Sequence, residues 1–148
     1  MASEREVTIE QFREHLAELR VERPINEIIL HHTWTPTAAD YCGIETVRDV
    51  RRYEMCVRGH SDNGHHVMIG PDGRIFLCRP LGSAGTKLPG HNAHTIHVAF
   101  IADLNREDPT SYPVMMKGAW LICAALLERY GLQMGAVRFA REIGRAHV

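Results

Sequence analysis

A mixed α/β fold, with a central mixed β-sheet flanked by helices, is what the sequence predicts, on three observations. Stretches with helical apolar spacing alternate with short β-branched runs. A hairpin with an explicit turn sequence sits mid-chain. The resulting order is helix, strand, helix, hairpin, strand, helix, strand, which calls for a sheet covered by helices. The 148 residues fit one domain, and at that length a single core buries about two-thirds of the unfolded chain's surface.

Residues 8–20 form the first predicted helix. Thr8 and Gln11 make a capping box, and Ile9, Phe12, Leu16 and Leu19 share a face. EIILH, residues 27–31, is a β-branched run expected to be a buried strand that delivers His31 and His32 to its end. Residues 45–58 read as a second helix, with Val47, Val50, Tyr53 and Val57 in phase. HHVMI (65–69) and RIFLCR (74–79) are hairpin strands around the turn Gly70-Pro71-Asp72-Gly73. A Gly- and Pro-rich loop covers 80–94. The strand 95–101 then sets Ile96, Val98 and Phe100 on one face and Thr95, His97 and Ala99 on the other. Residues 112–130 make the longest helix, with Pro113 in its first turn, Gly131 past its end and an apolar character that predicts burial nearly all round. Residues 137–139 are a last short strand.

Composition narrows the function. Lys and Arg number 17, Asp and Glu 18, for a formal charge of −1. A nucleic-acid binder would carry a basic excess, and no basic run marks a membrane surface. The four cysteines, Cys42, Cys56, Cys78 and Cys123, form no C-x-x-C pair and are expected to be small buried residues with reduced thiols. No signal peptide or membrane-spanning run is read, so cytoplasmic synthesis is expected. A monomer is expected.

Histidine is the anomaly: of ten, eight lie between His31 and His97. Imidazole is the commonest metal ligand and the usual acid or base near neutral pH. IILHHT, residues 28–33, places a histidine at the end of an apolar strand, on a rigid scaffold facing the crevice at the strand ends.

Three segments in order, HHTWTP, NGHHVMIGPDGRIFLCRPL and PGHNAHTIHVAF, resemble the zinc-dependent N-acetylmuramoyl-L-alanine amidases, the family of phage amidase-type lysozymes and peptidoglycan recognition proteins. Each segment alone is weak; their order is specific, and the resemblance runs from about Arg20 to Phe139. It implies Zn²⁺ as cofactor, peptidoglycan as partner, and hydrolysis of the amide between N-acetylmuramic acid and L-alanine. By position, His31 is the implied first zinc ligand and His66 a structural histidine. Asn92 and Thr95 fall beside the muropeptide groove, with Trp34 and His91 as its walls or hydrogen-bonding groups. A zinc with three protein ligands keeps one position open, lowers the pKa of its water to about 7 and polarises the carbonyl. A further group then takes the proton.

The sequence departs from the family pattern in two places. The hairpin tyrosine is His65 and the later-strand glutamate is Ala99, so His65 is the candidate catalytic proton carrier, with His97 on the same strand face as Ala99. The C-terminal ligand pair is also incomplete. His147 takes the second zinc position by order, with no third ligand after it. EIGRAHV, residues 142–148, is what a widely used sequencing adapter encodes, which makes it a non-native tail and 1–141 an amidase-like domain incomplete at its C-terminus. On that reading His147 is a coincidence. The alternative function is a non-catalytic peptidoglycan-binding module. Action on the wall is expected either after release, as by a phage endolysin, or in wall recycling.

Overall fold

The computed structural model describes residues 4–20 and 23–141. His147 and the predicted tail lie outside them. Nine elements follow in chain order: β1 (Arg5–Val7), α1 (Ile9–Glu18), β2 (Glu27–His32), α2 (Ile44–Cys56), β3 (Val67–Ile69), β4 (Ile75–Leu77), β5 (Thr95–Phe100), α3 (Pro113–Tyr130) and β6 (Val137–Phe139). The strands form one mixed sheet in the order β1-β4-β3-β5-β2-β6. β1, β4 and β3 pair antiparallel, and β3, β5, β2 and β6 pair parallel.

Local chemistry sets the element ends. Thr8 Oγ1 accepts from the Gln11 amide and Gln11 Oε1 from the Thr8 amide, so the capping box forms and α1 starts there. Gly131 ends α3 at φ 64, a left-handed conformation that costs glycine little. Gly73 adopts φ 85 in the hairpin turn.

The two faces of the sheet are covered differently. Phe12 and Leu16 of α1 and Met115, Ile122 and Leu126 of α3 pack with Ile28, Leu30, Val67, Ile96, Val98 and Phe100 in the larger core. On the other face Val47 of α2 packs with Met68, Phe76, Ala99 and Ile101. At about 25 cal/mol per Å² of apolar surface removed from water, these two layers are the main stabilising term.

Four points need correction. β1 has no counterpart in the sequence reading, because an edge strand of three residues, two of them exposed, leaves no period to detect. In α2, Tyr53 and Val57 are exposed, while Thr46 and Glu54 are buried with Val47. Glu54 turns inward because Lys87 Nζ and His60 Nδ1 each meet its carboxylate at 2.8 Å. Cys78 and Cys123 are buried as expected, but Cys42 and Cys56 are exposed. α3 is also open on one side, where Trp120 is exposed. Among the described residues no helix is long and apolar enough to cross a membrane.

Candidate active site

The parallel register of β2 and β5 builds the site. His31 pairs with Ala99 and Ile29 with His97, so His31, next to last in β2, and His97, third in β5, emerge on the same face. His31 Nε2 stands 2.7 Å from His97 Nδ1. The His65 ring, delivered just ahead of β3, lies edge-on to His31 with centroids 5.3 Å apart. His66 stacks on His97 at 5.8 Å, nearly coplanar. Gly85 permits this packing: a Cβ there would stand 2.5 Å from His97 Cδ2.

Hydrogen bonds fix the tautomers. Asn92 Oδ1 accepts from the Leu88 amide at 3.0 Å and lies 2.8 Å from His97 Nε2. His97 Nε2 therefore carries a proton, and in the neutral ring Nδ1 is the lone pair facing His31 Nε2. Asn63 Oδ1 accepts from the His65 amide at 3.0 Å and lies 3.1 Å from His65 Nδ1, leaving Nε2 of that ring unprotonated. His66 Nδ1 accepts from the His97 amide at 2.9 Å, so its Nε2 donates to the Ser83 carbonyl at 2.7 Å. His66 thus has a structural place beneath the site.

All four rings are held neutral. Burial pushes His31 well below the usual histidine range, helped by His97 and Lys87. His65 is pushed well down by burial, then by His31 and Lys87. Burial lowers His66 to about 3 against an opposing bond to the Ser83 carbonyl. His97 falls to about 3 through burial, Arg23 and Lys87. Neutral imidazole is also the form that binds metal.

His31 and His65 lie in a groove of about 790 Å³ whose walls include Trp34, Tyr53, Arg58 and Lys87. A second groove, about 840 Å³, opens on the other side of His31 and Trp34 toward Leu104, Phe139 and Arg141. Trp34 stands between them, 60% exposed, with its backbone at φ 65 and its indole N–H donated to His32 Nε2.

Of the residues the resemblance implicated, His31, His65 and Trp34 come together here. His91, Asn92 and Thr95 gather at the start of β5, and neither groove is lined by them. Thr95 is fully buried and donates to Glu27 Oε1 at 2.6 Å. His91 Nδ1 meets the same oxygen at 2.7 Å. Asn92 reaches the site only through His97. The sequence reading placed His97 on the correct face but did not pair it with His31, because the β2–β5 register that joins them is a tertiary fact.

A catalytic zinc takes three protein ligands. His31 and His97 offer two neutral imidazoles at one point, which suits the metal once the His31 proton shifts from Nε2 to Nδ1. Among the described residues no third His, Cys, Asp or Glu completes that pair. The group of three with ligand atoms within 4.8 Å of one another is Glu27, His91 and His94, elsewhere. The described residues thus supply an incomplete set.

The chain belongs to the N-acetylmuramoyl-L-alanine amidase family, whose sequence model matches residues 21–145. Over 104 residues it is 29% identical to peptidoglycan-recognition protein 1 of Holotrichia diomphalia, covering 69% of this chain and 52% of that one. It is 31% identical to peptidoglycan-recognition protein 2 of the same beetle over an equal length, 69% and 55% of the two chains. The chain thus spans about half the length of the curated relatives it matches. Its fold is that of Drosophila PGRP-LB (TM-score 0.68, 24% identity, 83% and 73% covered). The endolysin N-acetylmuramoyl-L-alanine amidase LysCS of Clostridium intestinale shares it too (TM-score 0.66, 23% identity, 81% and 71%). So does a PGRP-LB variant solved in complex with tracheal cytotoxin (TM-score 0.70, 24% identity, 84% and 74%).

Proposed function

We propose that this chain hydrolyses the amide between N-acetylmuramic acid and L-alanine in peptidoglycan, with zinc at His31. The observation that carries the reading is the pair of neutral imidazoles, His31 Nε2 and His97 Nδ1 at 2.7 Å, the first of which lines a groove together with the buried His65. His31 and His97, with a third donor from outside the described residues, would hold zinc, which would supply an activated water and a Lewis acid.

The chain's own residues do the rest. Trp34 and Tyr53 wall the groove in which the muropeptide lies. His65 Nε2 is unprotonated and takes a proton from the attacking water. A buried imidazolium is unfavourable there, so His65 passes that proton on to the departing amine readily. Lys87, held by Glu54, puts a positive charge beside the groove, where it offsets the negative charge developing on the carbonyl oxygen. Asn92 and Asn63 hold His97 and His65 in the tautomers this requires.

Purified peptidoglycan incubated with the chain and Zn²⁺ is expected to release peptides with free L-alanine N-termini, detected by mass spectrometry. His31→Ala is expected to reduce release by at least about a hundredfold, the upper end of what the loss of an outer-shell partner costs. The incomplete ligand set favours a second reading, binding without cleavage. Sedimentation with insoluble peptidoglycan, unaffected by chelator and without peptide release, would establish that alternative. Neither release nor sedimentation would dismiss both.

A further inference from the structure

The same face of the sheet carries a second histidine cluster at the N-terminal ends of β2 and β5. Glu27 is buried at the start of β2. Its Oε1 lies 2.7 Å from His91 Nδ1, 3.4 Å from His94 Nδ1 and 2.6 Å from Thr95 Oγ1. Arg138 Nη1 is 3.9 Å from Oε2. His94 Nδ1 is shut off from solvent and makes no hydrogen bond. A buried polar nitrogen without a partner is unusual and calls for an explanation.

We propose that Glu27, His91 and His94 form a second metal site, for a divalent ion of the zinc class, separate from the groove. Two imidazoles and one carboxylate are a donor set that such ions accept with a position left open. Ligand atoms around a tetrahedral zinc stand roughly 3.3 Å apart, from bond lengths near 2.0–2.1 Å. The His94–Glu27 separation of 3.4 Å already has that value, and the His91–Glu27 contact of 2.7 Å must open by about 0.6 Å. The metal gives His94 Nδ1 a bonded partner, where the structure has only the 3.4 Å approach of Glu27 Oε1. Thr95, donating to the carboxylate, is the outer-shell group that orients it. Arg138, 44% exposed and at the margin of ion-pair distance, is free to move outward as the cation enters.

The site has a consequence for the groove. His91 and His94 flank Asn92, whose Oδ1 orients His97. A metal here clamps the 92–94 turn to β2 and so fixes the residue that sets the His97 tautomer.

The test uses the full chain, stripped of metal and titrated with Co²⁺, whose visible bands report a four- or five-coordinate N/O site. His31→Ala removes the groove pair and isolates the second site. It is expected to bind one equivalent of Co²⁺, and His31→Ala/His94→Ala at least about tenfold more weakly, with the bands lost. Because His94 sits on a partly exposed turn, circular dichroism is expected to be unchanged, and His31→Ala/His94→Asn is a second, milder variant. A folded His31→Ala chain that binds no Co²⁺, or equal affinity with and without His94, overturns the proposal. Peptidoglycan cleavage is read separately: Co²⁺ bound by the His31→Ala chain supports this site even if the hydrolase reading fails.

Discussion

Two histidine clusters hang from the same pair of strands, and they differ in one group. In the first, His31, His65, His66 and His97 pack on one another without a carboxylate, and burial holds every ring neutral. At the N-terminal ends, His91 and His94 share Glu27. Burial pushes that carboxyl upward, but bonds from Thr95 and His91 together with the nearby imidazoles outweigh it, so Glu27 stays below its ordinary range and charged. The same side chain on the same scaffold is thus a dry, neutral ring in one place and the companion of a buried anion in the other. One buried carboxylate decides between the two.

Acid should separate the clusters most strongly. The folded pKa values of His66 and His97, about 3, lie below the unfolded value near 6.5. Between these limits the unfolded chain binds protons that the folded chain refuses, so stability is full above about 6.5 and falls as pH drops toward 3. The slope is about 1.4 kcal/mol per pH unit for each such histidine, several kcal/mol by pH 5. Urea unfolding at pH 7.5, 6 and 5 measures it. A flat profile would mean the buried rings take up protons as readily in the folded as in the unfolded chain, and the contrast is false.

Glu27→Gln should act at the other end. It removes the charge that accepts from Thr95 and His91 while keeping the shape, at a cost of about 2 kcal/mol in the urea midpoint at pH 7.5. A neutral outcome there would show that the carboxylate organises nothing. The smallest effect belongs to His94→Ala in metal-free protein, under about 0.5 kcal/mol, since its Nδ1 makes no hydrogen bond to lose. A larger loss would reveal His94 as a structural residue.

Much of this was legible in the sequence where the signal is local. The capping box of α1, the strand run EIILH and the glycine ending α3 are each set by neighbours within a few residues, and each formed. The outward turn of Tyr53 and Val57 was not legible, because the inward position went to Glu54, whose partners Lys87 and His60 come from other parts of the chain. His31 could be singled out from its place at a strand end. Its partner His97 and the removal of His91 to Glu27 both depend on strand pairing, which residue spacing within one strand does not encode.

The six residue pairs that lock β2 to β5, from Glu27–Thr95 to His32–Phe100, act as a rail. Glu27 and His31 are four residues apart on it, about 13 Å at 3.3 Å per residue. Strand pairing moves only in whole residues, and a slip of one would swing a strand's cleft-facing side chains to the side of α1 and α3. The spacing between the clusters therefore cannot drift by small degrees under mutation or strain. Damage to the rail takes out both ends together, while a change confined to one end leaves the other in place.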